Sequence, residues 1–140
     1  MAGYSGTPLA RKLGIKERSR VGLIGAPEGF EPTLEPLPAN VTLTRRIGSP
    51  PFDVILFFSD RAADLEKRFS SLARALTPDG GLWVAWPKKA SGVATDLSEN
   101  AVREIGLASG LVDNKVCAVD EVWSGLRFVY RLKDRPKAPR

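Results

Sequence analysis

Residues 52–86 read FDVILFFSDRAADLEKRFSSLARALTPDGGLWVAW, and a change of period inside them decides the fold. Residues 52–58 are apolar on both alternating faces, apart from Asp53, which predicts a strand buried on both sides. From Ala62 onward the apolar positions Ala62, Leu65, Phe69, Leu72, Ala73 and Leu76 recur every three or four residues. That spacing predicts a helix over 60–76 that buries one stripe. The segment TPDGG (77–81) stops it, and LWVAW (82–86) is a second strand apolar on both faces. Two buried strands joined by a helix imply a parallel sheet covered on both sides.

Upstream, RVGLIGAP (20–27) predicts another buried strand and VTLTRRI (41–47) an alternating one nearer an edge. Between them Pro32, Pro36 and Pro38 rule out a long helix and leave one or two helical turns. TPLARKLGI (7–15) reads as a short helix with Thr7 as N-cap, Pro8 in the first turn and Gly14 as a left-handed stop. Downstream, Asp96 and Glu99 form a capping-box pattern before a helix carrying Leu97, Ala101, Val102, Ile105 and Ala108, which Gly110 ends. KVCAVDEVW, a two-residue turn Ser124–Gly125 and LRFVYRL predict a closing hairpin, with Leu126, Phe128, Tyr130 and Leu132 on one face. The expected fold is therefore a Rossmann-like α/β domain over residues 1–132, with a mostly parallel sheet, helices on both faces and a C-terminal antiparallel hairpin. The expected strand order is 41–47, 20–26, 53–59, 81–86, 125–132, 114–122. One tension stands: only GSPP and its flanks join the second strand to the third, whereas a parallel crossover usually takes a dozen or more residues.

Composition narrows the chemistry. The 140 residues contain no histidine and one cysteine, Cys117. Histidine triads, histidine metal sites, cysteine zinc sites and internal disulfides are thereby excluded. No apolar stretch has the length of a membrane span or the placing of a secretory signal, and with the lone cysteine this gives the expectation of a cytoplasmic protein without membrane partners. The net charge of +5 is concentrated in residues 131–140, which hold five basic and one acidic side chain; the other 130 carry 16 basic and 15 acidic. Residues 133–140 read as a basic flexible tail, a solvated end in preference to a nucleic-acid arm.

The order of elements resembles the class I S-adenosylmethionine methyltransferase fold over about residues 20–132. FDVILFF, the helix after it, LARALTPDGGLWVAW and the final hairpin carry the resemblance, with LTPDGG similar to that superfamily's turn before its fifth strand. A second resemblance, over nearly the whole chain, is to the bacterial family called domain of unknown function 3052. It rests on GYSGTPLARKLGI (3–15), GAPEGF (25–30), WPKKASGVATDL (86–97) and VDNKVCAVDEVWSGLRFVYRL (112–132). That family brings no activity with it. The methyltransferase resemblance implies a glycine-rich cofactor loop after the first strand, of the form G-x-G-x-G, and a carboxylate at the end of the second strand for the ribose hydroxyls. Here the loop is GLIGAPEGF, with Gly22, Gly25 and Gly29 spread apart and Pro27 among them, and the second strand ends in Arg45–Arg46. Both departures point to a degenerate methyl-donor site. Arg45 can instead serve a nucleotide 2′-phosphate or be a solvated arginine.

Ligands in open α/β sheets sit outside the carboxyl ends of the strands. WPKKASGVATDLSEN (86–100) lies there and holds Lys88, Lys89, Ser91, Gly92 and Thr95. Lysine charge, hydroxyl donors, a glycine permitting close approach and helical N–H groups suit a small anion, phosphate or carboxylate. The competing reading is a strand-to-helix connection whose Asp96 caps the helix. Glu28 and Asp60 are expected at the same edge, each as a general base or a salt-bridge partner. Trp83 reads as core and Trp86 as a pocket floor or packing. Trp123 and Tyr130 read as core packing or, if exposed, a homodimer seam. Cys117 reads as a small buried hydrophobe. Three function classes follow: a binding or regulatory module for a small anionic ligand; an enzyme on a phosphorylated or nucleotide substrate, including a divergent methyltransferase; and a nucleic-acid or protein adaptor using the basic tail. No cofactor is specified by the residues.

Overall fold

A computed structural model describes residues 7–135. Its strands are β1 (Arg20–Ile24), β2 (Thr42–Thr44), β3 (Phe52–Phe58), β4 (Leu76–Pro87), β5 (Leu111–Ala118) and β6 (Trp123–Tyr130). The helices are α1 (Leu9–Lys12), α2 (Ala62–Arg74) and α3 (Glu99–Ala108). One sheet has the order β2-β1-β3-β4-β6-β5. β1 pairs in parallel with β2 and β3, and β3 with β4, while β6 lies antiparallel between β4 and β5. Order and directions agree with those expected from the sequence, and the fold is a Rossmann-like α/β fold with an antiparallel C-terminal pair of strands.

The apolar stripes make two layers. On one face α2 places Leu65, Phe69, Leu72 and Ala73 against Phe57, Val84 and Trp86, and α3 adds Val102. On the other, α1 and the 3-10 turn Glu31–Leu34 cover Val21, Leu23, Leu56, Trp83 and Ala85. Each large side chain fully removed from water contributes about 1.5–3 kcal/mol before chain entropy opposes it. Trp83 is fully buried and donates its indole N–H to the Leu13 carbonyl at 2.9 Å, which ties the end of α1 to the middle of the sheet. Gly106 lets α3 close on the sheet, since a Cβ there would enter the Phe128 ring.

The short β2–β3 link has a physical explanation. β2 is three residues long, so the return path is only about 10 Å. The link lies across the α2 face of β1 at Gly22, where a Cβ would stand 3.1 Å from Ile47 Cδ1. Ile47 thus covers the part of β1 that a crossover helix would otherwise cover.

Several local expectations are corrected. TPDGG does not stop the helix from outside the sheet; it is a bulge inside β4, where Phe52 pairs with Leu76 and the next pair is Val54 with Gly81. A Cβ on Gly80 would stand 3.0 Å from the Phe52 and Asp53 carbonyls, so the bulge presses directly on β3. The hairpin turn is not Ser124–Gly125, which lie within β6 opposite Ala118 and Cys117. It is formed by residues 119–122, where Asp120 accepts from the Val122 and Trp123 N–H groups, both at 2.8 Å. Gly125 has a packing reason instead: its missing side chain admits the Trp83 ring, 3.2 Å from a Cβ position. Thr7 makes no cap; Pro8 precedes α1, and Gly14, at φ +84°, ends the segment as expected. Leu132 leaves the strand for a 3-10 turn and is 80% exposed. Residues 131–135 are exposed, and the rest of the tail, from 136, lies outside the described residues, as do residues 1–6, which include the first four residues (3–6) of the first family motif. Among the described residues no helix is long and apolar enough to cross a membrane.

Candidate functional site

The carboxyl ends of β1, β3 and β4 bring GAPEGF, Asp60 and WPKKASGVATDL to one edge of the sheet. The two outer loops meet that edge differently.

After β1 the chain turns at Gly25, in the left-handed region at φ +72°. A Cβ there would stand 2.9 Å from the Phe58 carbonyl, so this glycine answers a close approach of β3. Arg45, just past β2, reaches over the loop. It donates to the Ala26 carbonyl at 2.9 Å, to the Pro27 carbonyl at 3.0 Å and to both Glu31 oxygens at 2.8 and 3.0 Å. This fork-to-fork pair holds Glu31 below the usual carboxylate range, chiefly through the hydrogen bond from Arg45, and raises Arg45 reciprocally. Glu28 is exposed, and its charge also raises Arg45. The guanidinium that the sequence offered to a phosphate is therefore engaged by the protein's own loop. Beneath it Phe30, Phe58 and Trp123 stack edge to face with centroids 5.0 Å apart, so Trp123 is packing and not a bare seam.

After β4 the edge is open. A cleft of about 640 Å³ is lined by Lys88, Lys89, Gly92, Thr95, Trp86 and Ser98, among others. Trp86, 6% exposed, floors it from the sheet. Gly92, at φ +77°, ends the 3-10 turn Lys89–Ser91 and has no atom within 4 Å of a Cβ position. Backbone at Gly92 is thus free to be approached, although its left-handed conformation strains any substituted residue. Ser91 does not line the cleft; its hydroxyl donates to the Lys88 carbonyl at 2.7 Å and accepts from Val93 N–H. Gly25, Glu28 and Arg45 do not line it either.

Thr95 and Asp96 have structural duties. The Thr95 hydroxyl donates to the Asp60 carbonyl at 2.7 Å and accepts from Leu97 N–H. Asp96 does not cap α3, contrary to the capping-box expectation. Its carboxylate accepts from Ala62 N–H at 2.8 Å and so caps α2, while Ser98 caps α3 by accepting from Ala101 N–H at 3.1 Å. The offset arises because Leu97 turns into the core, leaving Ser98 as the last extended residue. The consequence favours the cleft: no aspartate sits on the α3 axis. Glu99 does line the cleft, but Arg103 holds its carboxylate from the next turn. Asp60, Arg61 and Asp96 line an adjoining depression of about 590 Å³ that shares Ala94 and Thr95 with the main cleft.

Sequence reasoning missed Ser98, Glu99 and Ser124 as lining residues. Ser124 pairs with Trp86 across β4 and β6; with the hairpin turn placed at Asp120 its position follows from register alone. Cys117 is half-buried, and burial pushes its thiol pKa up, which suits the small hydrophobe expected. Tyr130 donates to the Ala73 carbonyl at 2.8 Å. Among the described residues no group of three or more Cys, Asp or Glu side chains is placed to hold a metal ion.

No protein-family model matches the chain, and no curated protein matches it. Solved structures do. A S-adenosylmethionine-dependent methyltransferase from Aquifex aeolicus superposes with a TM-score of 0.64 at 17% identity, covering 86% of each chain. The fibrillarin pre-rRNA processing protein of Methanococcus jannaschii gives 0.59 at 14% identity, over 92% of this chain and 71% of its own. Magnesium protoporphyrin IX methyltransferase from Synechocystis, with bound S-adenosylmethionine, gives 0.57 at 11% identity, over 88% and 74%. At these identities the likeness is one of fold.

Proposed function

We propose that this chain is a binding or regulatory module on a methyltransferase scaffold, holding a small phosphate- or carboxylate-bearing ligand after β4, with the methyl-donor place after β1 given up. One contrast carries the reading. Lys88, Lys89 and the unobstructed Gly92 border an open cleft, while Arg45 and Glu31 are locked together over the β1 loop. In the cleft Lys88 and Lys89 supply positive charge, Gly92 permits backbone approach, Trp86 gives an apolar floor, and Arg103 draws Glu99 aside. Lysine is a point charge on a flexible stem, so it suits an anion without demanding one geometry.

A second reading, a divergent S-adenosylmethionine-dependent methyltransferase, is favoured by the structural neighbours, of which one holds that cofactor. Thermal unfolding of the full chain with nucleotides, sugar phosphates and S-adenosylmethionine separates the two, because a ligand that binds only the folded state must raise its stability. The anion reading expects phosphate-bearing compounds to raise the melting temperature, and the rise to vanish in Lys88→Ala/Lys89→Ala. A rise with S-adenosylmethionine that survives this double substitution would replace the first reading with the second.

A further inference from the structure

At the opposite end of the sheet lies a guanidinium that no described residue holds by a hydrogen bond or a close ion pair. Arg127, on β6, is half-buried and lies against Gly81 of β4; a Cβ at Gly81 would overlap its guanidinium, so this glycine is what seats the side chain. Among the described residues the Arg127 guanidinium makes no hydrogen bond and no ion pair. Burial pushes its pKa down and the Asp79 charge pulls it back up, as for a cation that has lost water without gaining a close counter-ion. Arg127 faces a polar cleft of about 290 Å³ that Lys12, Lys16 and Lys115 also line. Two carboxylates lie on the same cleft, and each is already bonded: Asp53 accepts from Arg20 N–H at 2.8 Å and Asp79 from the Thr77 hydroxyl at 3.2 Å. Beside it is a hollow of about 370 Å³ with Trp83, Cys117 and Ala118 in its wall, and Lys12 and Lys115 border both.

We propose that this pair of hollows is a second ligand site, in which Arg127 takes the carboxylate or phosphate group of a small organic anion and the Trp83–Cys117 hollow takes its apolar body. A planar guanidinium fork matches such an oxyanion with two parallel hydrogen bonds. Partial burial makes the attraction stronger than at an open surface, and the flanking lysines give the cleft a net positive field. The Gly80–Gly81 pair, which the sequence offers as a helix stop, has here a second consequence: it leaves the strand bare where Arg127 must lie.

The test is a titration of the isotope-labelled full chain with benzoate, its neutral analogue benzamide and inorganic phosphate. The Arg127 side-chain N–H, the Trp83 indole N–H and the Lys115 amide are followed by NMR. Benzoate is expected to give saturable shifts at all three, benzamide none of comparable size, and phosphate shifts at Arg127 without Trp83. Arg127→Gln should abolish the benzoate response and Arg127→Lys weaken it severalfold. Lys88→Ala/Lys89→Ala should leave it unchanged, because those lysines border the other end of the sheet. Should Arg127→Gln perturb the fold, Lys16→Gln/Lys115→Gln, at two exposed lysines, should still weaken benzoate binding. Equal responses to benzoate and benzamide, or full binding by Arg127→Gln, would overturn the oxyanion site. Benzoate shifts at Arg127 with Trp83 unmoved would overturn the apolar half.

Discussion

The loops after β1 and after β4 leave the same edge of one parallel sheet, yet one is closed by its own side chains and the other is open. Each turns on a left-handed glycine: Gly25 at φ +72° and Gly92 at φ +77°. Gly25 is pressed by the Phe58 carbonyl and spanned by Arg45, whereas Gly92 faces open space. A left-handed glycine at a strand end therefore does not by itself announce a ligand. What distinguishes the two is whether the protein has already placed atoms where a ligand would go.

The largest expected effect comes from putting the same methyl group on both glycines. Gly25→Ala adds a backbone clash to left-handed strain and should lose about 3 kcal/mol; Gly92→Ala carries the strain alone, at about 1 kcal/mol. Urea unfolding of the two variants measures the difference, and equal losses would erase the contrast. Next come the caps. Asp96→Ala and Ser98→Ala should each lose about 1 kcal/mol, since one carboxylate serves α2 and the hydroxyl serves α3. If Ser98→Ala were silent and Asp96→Ala frayed α3 by hydrogen exchange, the capping box read from the sequence would be right after all.

A smaller effect is expected from acid. Glu31 has a folded-state pKa below its unfolded value, so its contribution is fully present above the unfolded pKa and is lost as pH falls through the folded one. Arg45→Gln should remove that component, giving a small loss of stability that is fullest at neutral pH and shrinks as pH falls through the folded pKa, so that stability depends less steeply on pH in acid. An unaltered acid transition would mean that the Arg45–Glu31 pair does not close the β1 loop in solution. Smallest of all, Lys88→Ala/Lys89→Ala should change stability by less than about 0.5 kcal/mol. Its effect belongs to binding: phosphate-ester affinity, measured by calorimetry, should fall, and by more at low salt, where the lysine charges are less screened. A salt-independent loss would argue against a charge role for them.

Much of the scaffold was legible in the sequence because burial on both faces leaves a plain mark: unbroken apolar runs over Val54–Phe58 in β3 and Leu82–Trp86 in β4, and the Leu65–Phe69–Leu72 stripe between them. The parallel β2 was harder, because the side chain that makes its short link possible, Ile47, acts only through a contact with Gly22. Turns misled where one residue type serves two ends. Ser124–Gly125 has turn composition, yet Gly125 is small because Trp83 lies over it, and the turn is made by the Asp120 carboxylate. Of the residues that line the cleft after β4, Lys88, Lys89, Gly92 and Thr95 were placed at that edge by topology. That Arg45 bonds to the β1 loop and Asp96 to α2 depends on tertiary partners 14 to 34 positions away, which no local pattern encodes.

The most direct test of the open-mouth account is an NMR titration of the backbone amides with a phosphate ester, repeated with S-adenosylmethionine. The account predicts that the phosphate ester shifts amides around Trp86, Gly92 and Thr95 in a saturable way, with Gly25–Glu31 silent, and that S-adenosylmethionine shifts neither region. Saturable shifts centred on Gly25–Glu31 with S-adenosylmethionine, and none around Gly92 with the ester, would contradict it.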